Sequence, residues 1–269
     1  MDRVLVLGNG FLGKQYKKNG FTVWGRDKLD IDPSNIEGSL DVLFTEEVCG
    51  KYDTIINCIG NANTRMCEDP VHWNGVYAIN AHLPKVLSDM CDLHGKNFVH
   101  ISSGCVYDQN NEPQKEDAYL SSHCRYVVAK LAGEFNCRPN DLILRPRLYF
   151  GETRDGNNLL SKISKFNTFL TEMNSYTSVQ TIVESTIALL KNECFGVFNV
   201  AQTGVTNLVH IAEAIGLKVD STISGAQLRD QEGLYLVNNI MDTSKLEQFY
   251  KPRPVIDEIK MCWKALNSK

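Results

Sequence analysis

The sequence predicts an α/β fold, a doubly wound parallel sheet followed by a smaller mixed α/β domain. Three observations carry that prediction. Short apolar runs alternate with helical stretches across the first half of the chain, the order that a sheet buried on both faces requires. The first apolar run leads straight into a glycine-rich turn and a helix. Beyond Gly151 the alternation weakens without any repeat or low-complexity linker, so a second domain is expected against the first and not on a tether. The first domain is read as residues 1–150 and the second as 151–269, with some later segments free to return to the first sheet.

"RVLVLG" reads as a buried strand and "FLGKQYKKNG" as a helix ending at Gly20. "FTVWG" is the second strand, "FTEEVCGK" a short helical piece and "DTIINCIG" the next strand. "GVYAINAHLPKVLSDMCDLHG" is a long amphipathic helix with a kink expected near Pro84. "NFVHISSGCVY" reads as a strand, "CRYVVAKLAGEF" as a helix and "DLILRPRLYFG" as a strand. "GNNLLSKISKFN", "NSYTSVQTIVESTIALLKN", "GVFNVA", "NLVHIAEAIG" and "DEIKMCWKALN" supply the mixed elements of the second half.

Composition narrows the function classes. A net charge of −4 leaves no basic footprint for a nucleic acid polymer and no polybasic membrane patch. No apolar run reaches membrane length, and the N-terminus reads as a strand with no signal peptide. The nine cysteines are scattered and never fall as C-x-x-C, which suits reduced thiols in the cytoplasm. The six histidines show no metal-ligand spacing, so no metal is expected.

The turn "GNGFLG" places Gly8, Gly10 and Gly13 in G-x-G-x-x-G, with Asn9, Phe11 and Leu12 between them. Leaving a first strand and opening a helix, it has the context of a Rossmann-type dinucleotide turn, in which glycines let backbone approach a pyrophosphate at a helix N-terminus. After the second strand, Arg26 and Lys28 suit the 2′-phosphate of NADP, whereas Asp27 between them suits the free ribose of NAD; the balance is read as NADP. Cys58, Ile59, Gly60 and Asn61 end a strand where the dinucleotide ribose passes. Asp32 is placed near the adenine, with turn chemistry as its alternative.

In "HISSGCVYD", Ser103 and Cys105 stand two apart at the end of an apolar strand and are read as sharing one face. Tyr126 and Lys130 are spaced i, i+4 on a helix and share a face there too. A neighbouring ammonium is expected to bring the tyrosine pKa down. Tyr126 then protonates a carbonyl oxygen that Ser103 holds, while hydride arrives at the carbon. A free cysteine is most often a small buried hydrophobe, and Cys105 taken alone reads that way.

Gly-rich turn, "SSGCVY" and Y-x-x-x-K in this order resemble the extended short-chain dehydrogenase/reductases. "LVLGNGFLG", "IINCIGNANT", "AINAHLPKVLSDMC", "VHISSGCVYD" and "LAGE" are similar to the dTDP-4-dehydrorhamnose reductase branch. "LILRPRLYF", "NNLLSKISKFN", "MNSYTSV", "GVFNVAQTGVTNLVHI" and "NNIMDTSKL" resemble more narrowly the bifunctional 3,5-epimerase/4-reductases that make UDP-L-rhamnose. The resemblance implies NADPH as hydride donor, a UDP- or dTDP-linked 4-keto-6-deoxyhexose as substrate, and a homodimer formed through the long helices. The family's catalytic Ser, Tyr and Lys fall on Ser103, Tyr126 and Lys130, and its epimerisation pair on Cys105 and Lys162. GDP-fucose synthases pair the same cysteine with a histidine, and no histidine lies near Lys162 in the sequence. Asn158, Asn174 and Ser175 fall where the family binds substrate, with loop and cap chemistry as their bland reading, and Asn80 where it keeps a structural asparagine. Arg147 either contacts a phosphate or covers the sheet. The polar stretch "YDQNNEPQKEDAYLSSHCRY" departs from relatives, with bulky residues just ahead of Tyr126.

The chemistry fits such a pair: a 4-keto group acidifies the protons on C3 and C5, and inversion needs a base on one face and an acid on the other. The alternatives are a reductase or an epimerase alone on another nucleotide-linked keto-sugar, or a non-catalytic NADP-binding regulatory subunit. An intact Ser103, Tyr126 and Lys130 set argues against the last.

Overall fold

The computed structural model describes residues 3–108, 111–121, 124–232 and 238–268, so Ser122 and His123 of the stretch ahead of Tyr126 lie outside the described residues. The chain divides into two compact units. The first comprises Met1–Val106, Ser121–Arg145 and Glu193–Val197; the second comprises Tyr107–Leu120, Pro146–Asn192 and Phe198–Lys269.

Numbering along the chain, the first unit holds β1 (Val4–Leu7), α1 (Phe11–Lys18), β2 (Thr22–Trp24), α2 (Ile36–Leu40), α3 (Glu46–Lys51), β3 (Thr54–Asn57), α4 (Thr64–Glu68), α5 (Trp73–Tyr77), α6 (Leu83–Leu93) and β4 (Asn97–Ile101). After β5 (Pro113–Gln114) come α7 (Arg125–Phe135) and β6 (Leu142–Pro146). The central sheet has six strands in the order β10-β6-β4-β3-β1-β2, where β10 is Gly196–Val200. β1 pairs with β2 and β3, β3 with β4, and β4 with β6, all parallel. Strands β1 and β3 are buried along their whole length, which is why β1 reads as an unbroken apolar run instead of an alternating one. On one side Leu5, Leu7, Ile55 and Phe98 from the strands pack with Leu83, Leu87 and Cys91 of α6. The doubly wound parallel sheet is the fold the sequence predicts.

The bend expected near Pro84 takes the form of a π turn over Ala78–His82, just ahead of the proline, which starts α6. Proline lacks an N–H, and in a regular helix its ring would meet the carbonyl four residues back, that of Asn80. The wider turn absorbs the conflict. It also leaves the Asn80 carbonyl against α7: a Cβ built on Gly133 would lie 2.4 Å from that oxygen. Glycine at this crossing is a packing requirement.

The second unit contains three short parallel pairs. β5 pairs with β12 (Ile240–Met241), β7 (Tyr149–Phe150) with β9 (Thr177–Ser178), and β8 (Thr168–Leu170) with β11 (Ser221–Ile223). Its helices are α8 (Leu159–Ile163), α9 (Val179–Lys191), α10 (Leu208–Ala214), α11 (Gly225–Glu232) and α12 (Val255–Asn267). Phe150, Leu160, Phe169, Tyr176, Ile211, Val255, Ile259 and Leu266 form its core.

The Gly133 crossing gives a stability test. Gly133→Ala forces α7 away from the π turn and should cost about 1–3 kcal/mol, the range for overpacking. Calorimetry reads it as a lowered melting temperature; an unchanged midpoint would mean that the helices have room to spare.

Candidate active site

The glycine turn is built by close approach. Gly8 has φ +101°, and a Cβ on Gly13 would sit 1.8 Å from the Gly8 carbonyl oxygen, so α1 can start only flush against the end of β1. A Cβ on Gly8 would lie 3.1 Å from both the Cys58 carbonyl carbon and the Ile59 nitrogen, which puts the turn against the end of β3. At Gly10 the same construction meets nothing within 4 Å. No side chain caps α1 at Gly10, while Phe11 and Leu12 are buried behind it. Open space before an uncapped helix N-terminus fits a pyrophosphate. Asn9 is exposed beside Gly25, and Arg26 is exposed in the turn after β2. The Asp27 carboxylate also approaches Gly25, so a cation and a carboxylate both stand at this strand end. Asp32 is exposed and accepts from the Ser34 amide (2.8 Å) and hydroxyl (2.7 Å), which holds its pKa below the usual carboxylate range. It does the turn chemistry that was its alternative reading.

Ser103 and Cys105 require a correction. β4 ends at Ile101, and Gly104–Val106 is a 3₁₀ turn, so strand alternation does not relate the two side chains. The turn relates them instead: the Cys105 amide donates to Ser103 Oγ at 3.2 Å. Ser103 is buried and Cys105 half-buried.

Tyr126, Lys130 and Glu134 line one face of α7 at successive i, i+4 positions. Lys130 Nζ donates to the Ile101 carbonyl at 2.9 Å, at the point where β4 ends. Glu134, also buried, accepts from the Ser102 hydroxyl and from Arg145 Nη2 at 2.6 Å, with Arg145 Nε near both oxygens. Burial pushes the Lys130 ammonium down to about 8, against the opposing pull of Glu134. Burial raises the Tyr126 phenol, the Cys105 thiol adds to the rise, and a hydrogen bond with Ser103 opposes it. The expectation of a lowered tyrosine pKa therefore fails in the protein itself: desolvation of the phenolate is the largest influence on it and acts upward. Burial and the Lys130 charge keep His100, in β4, neutral, and the Cys58 thiol is raised by burial with Lys130 opposing.

The residues after β3 are tied to the π turn. Asn80 Oδ1 accepts from the Asn61 amide at 2.7 Å and Asn80 Nδ2 donates to the Asn61 carbonyl at 2.9 Å, with Gly60 exposed alongside. The first unit thus assembles the Gly8 turn, Cys58 to Asn61, Ser103, Cys105, Tyr126 and Lys130. Sequence reasoning missed the Glu134–Arg145 pair, which joins α7 to the strand that follows it, and Glu68, which meets the start of α7 from 57 residues away; only the "LAGE" resemblance touched Glu134.

The remaining predicted residues lie in the second unit. Lys162 is exposed in the last turn of α8. Asn158 is fully buried and spends itself on backbone: its Oδ1 accepts from the Leu160 and Gly151 amides, and its Nδ2 donates to the Gly151 and Thr153 carbonyls. Ser175 Oγ accepts from the Met241 amide. Asn174 Oδ1 accepts from Arg147 Nη2 at 2.8 Å, and both residues line a cavity of about 150 Å³ with Leu170, Glu172, Tyr176 and Leu208. Leu148, at φ +45°, is strained on the same cavity's wall. Among the described residues, no cluster of His, Cys, Asp or Glu could hold a metal, and no helix is long and apolar enough to cross a membrane.

Comparison with known proteins adds to this geometry. The chain is 23% identical over 259 residues to the trifunctional UDP-glucose 4,6-dehydratase/UDP-4-keto-6-deoxy-D-glucose 3,5-epimerase/UDP-4-keto-L-rhamnose-reductase of Arabidopsis thaliana, covering 89% of this chain and 37% of that protein. It therefore spans little more than a third of the length of the curated relatives it matches. Its fold is similar to a dTDP-4-dehydrorhamnose reductase of Clostridium acetobutylicum (TM-score 0.81, 21% identity, 98% of this chain and 99% of that one). It is likewise similar to the dTDP-4-dehydrorhamnose reductase of Bacillus anthracis in complex with NADP (TM-score 0.80, 20% identity, 97% and 98%). Residues 2–230 match the family described as the RmlD substrate binding domain, and the chain belongs to that family.

Proposed function

We propose that the protein uses NADPH to reduce the 4-keto group of a UDP- or dTDP-linked 6-deoxyhexose, and that it also epimerises C3 and C5. The observation that carries this reading is the convergence of Ser103, Tyr126 and Lys130 where β4 ends, in the unit that bears the glycine turn. The relatives' activities support the substrate class, and the NADP complex of the Bacillus anthracis protein supports the cofactor. Gly8 to Gly13 would hold the dinucleotide, with Arg26 facing the 2′-phosphate and Cys58 to Gly60 along the ribose; bound NADPH supplies the hydride.

The protein's own groups do the rest. Ser103 donates a hydrogen bond to the substrate's carbonyl oxygen. Tyr126 is protonated at neutral pH, as an ordinary phenol is, and burial raises it further; it can still give its proton to the developing alkoxide, a far stronger base. The Lys130 ammonium, anchored on the Ile101 carbonyl, stabilises the phenolate left behind. The family resemblance gives Cys105, two residues after Ser103, the proton exchange on the carbon next to that carbonyl, and gives Lys162 the role of its acid–base partner. The cavity of the second unit, largely apolar with Arg147, Asn174 and Arg229 on its wall, is the candidate pocket for the nucleotide. A homodimer formed through α5 and α6, where Trp73 and Tyr77 are partly exposed, completes the reading.

Purified protein should oxidise NADPH with UDP- or dTDP-4-keto-6-deoxyglucose, and failure with both sugars defeats the proposal. Cys105→Ala should still bind NADPH but lose solvent deuterium exchange at C3 and C5; normal exchange in that variant removes the epimerase role. Gly10→Ala separates fold from cofactor. Its Cβ meets nothing in the protein, so the melting temperature should hold, while NADPH affinity, followed by nucleotide fluorescence, should drop at least tenfold.

The pH profile follows from Lys130. The ammonium is lost as pH rises through about 8, so kcat/KM should be flat below that value and fall tenfold per unit above it. In Lys130→Arg, whose guanidinium stays charged, the alkaline fall should move out of range. A fall that stays near 8 in the arginine variant would assign it to another group.

A further inference from the structure

Tyr126 is the second residue of α7, and a helix's first amides have no partner within the helix. Cys124 stands at the N-cap with an extended backbone (φ −152°, ψ 161°) but brings only a thiol, a weak acceptor. The first two amides, those of Arg125 and Tyr126, are met from elsewhere. Glu68, the last residue of α4, accepts from the Arg125 amide at 3.2 Å through Oε2 and from the Tyr126 amide at 3.1 Å through Oε1. One carboxylate thereby pairs two orphan donors and sets a negative charge at the positive end of the helix. Arg125 returns the contact: its Nη1 donates to the Glu68 carbonyl at 3.4 Å, and its guanidinium lies over the Trp73 ring, 5.8 Å from the centroid.

Glu68 is itself fixed by the loop that follows β3. Asn63 caps α4 by accepting from the Met66 amide at 3.2 Å, and the Asn63 amide donates to Asn61 Oδ1 at 3.0 Å. The Cys67 thiol donates to the Asn61 carbonyl at 3.6 Å, and Asn61 is clamped by Asn80. An unbroken series of bonds runs from the π turn through Asn61 and α4 to the backbone of Tyr126.

We propose that Glu68 is a positioning residue for Tyr126, holding the first turn of α7 so that the phenol stays aligned with Ser103. The inference rests on the reading of Tyr126 as the proton donor. Helix ends fray first, and the second residue of an uncapped helix moves with the fray. A displacement of about 1 Å in a reacting group costs on the order of 100-fold in rate, so loss of this cap falls on turnover and not on substrate binding.

Three variants test it: Glu68→Ala, Glu68→Gln, and Glu68→Ala combined with Cys124→Ser. Glu68→Ala should lower kcat roughly 10- to 100-fold while KM for NADPH and for the sugar stays within about twofold. Amides in the first turn of α7 should exchange with deuterium faster. Cys124→Ser places a hydroxyl at an extended N-cap, so in the Glu68→Ala background it should restore both the protection and most of kcat. Glu68→Gln keeps one acceptor oxygen and should lose only about threefold in kcat. Should Glu68→Ala fail to fold, the glutamine variant with and without Cys124→Ser carries the same comparison. An unchanged kcat, a rise in KM alone, or protection regained without kcat would each overturn the proposal. The exchange measurement needs no sugar: unchanged exchange in a folded Glu68→Ala protein overturns the cap whatever the substrate proves to be, whereas an inactive wild type defeats the functional reading.

Discussion

A buried ammonium governs the first unit. Lys130 is 4% exposed, and the depression of its pKa to about 8 corresponds to roughly 3 kcal/mol against its charged form. Such a group is tolerable only with partners. It takes the Ile101 carbonyl and the field of Glu134, and Glu134 in turn takes Arg145 and Ser102. Each partner comes from a different element: Ile101 and Ser102 from the end of β4, Arg145 from β6, Glu134 from α7. Satisfying one charge therefore fixes where β4 stops relative to the helix, and that stop sets Ser103. The group proposed for catalysis and the group that orders the strand end are the same.

The position of α7 is set at both ends by contacts that do not overlap. Near its C-terminus Gly133 lets the helix press on the Asn80 carbonyl, and at its N-terminus Glu68 holds the Arg125 and Tyr126 amides. Both contacts lead back to Asn80, whose backbone meets Gly133 and whose side chain clamps Asn61. The π turn forced by Pro84 is thus the common reference for the helix carrying Tyr126 and the loop at the end of β3. That loop also lies against Gly8, so the dinucleotide turn shares the reference. A residue poor for a helix sits in mid-helix because its amide bonds are needed sideways.

What was legible in the sequence depended on how local its cause is. The glycine turn could be read because the approach that requires Gly13, to the Gly8 carbonyl, lies within a few residues of chain, and the i, i+4 spacing of Tyr126 and Lys130 because α7 is regular. Ser103 and Cys105 were misrelated because the strand was read on through Ser102, Ser103 and Gly104, small turn-forming residues at which it ends. Lys130 and Glu134, from another element, bond to the chain just where the strand ends. The Tyr126 pKa was misjudged for a related reason, since the spacing reveals the cation while desolvation comes from everything packed around the phenol. Glu68 meets its partner 57 residues away, a pairing with no pattern in the chain. Asn158 and Ser175 look alike as polar loop residues, and only their backbone partners distinguish them from Asn174 on the cavity wall.

The two perturbed groups also give the site a direction. Burial disfavours charge on both members, keeping the phenol of Tyr126 protonated and easing the proton off Lys130. Reduction of a carbonyl starts from the phenol and creates an alkoxide, a far stronger base, so the raised phenol pKa leaves the transfer downhill. Oxidation of an alcohol would have to start from the phenolate, the form that this environment penalises. The thiol of Cys105 adds to that penalty, because a negative charge on either group raises the cost of a second on its neighbour. In the proposed reaction, inversion at C3 and C5 depends on the 4-keto group that reduction removes, so epimerisation would have to come before reduction.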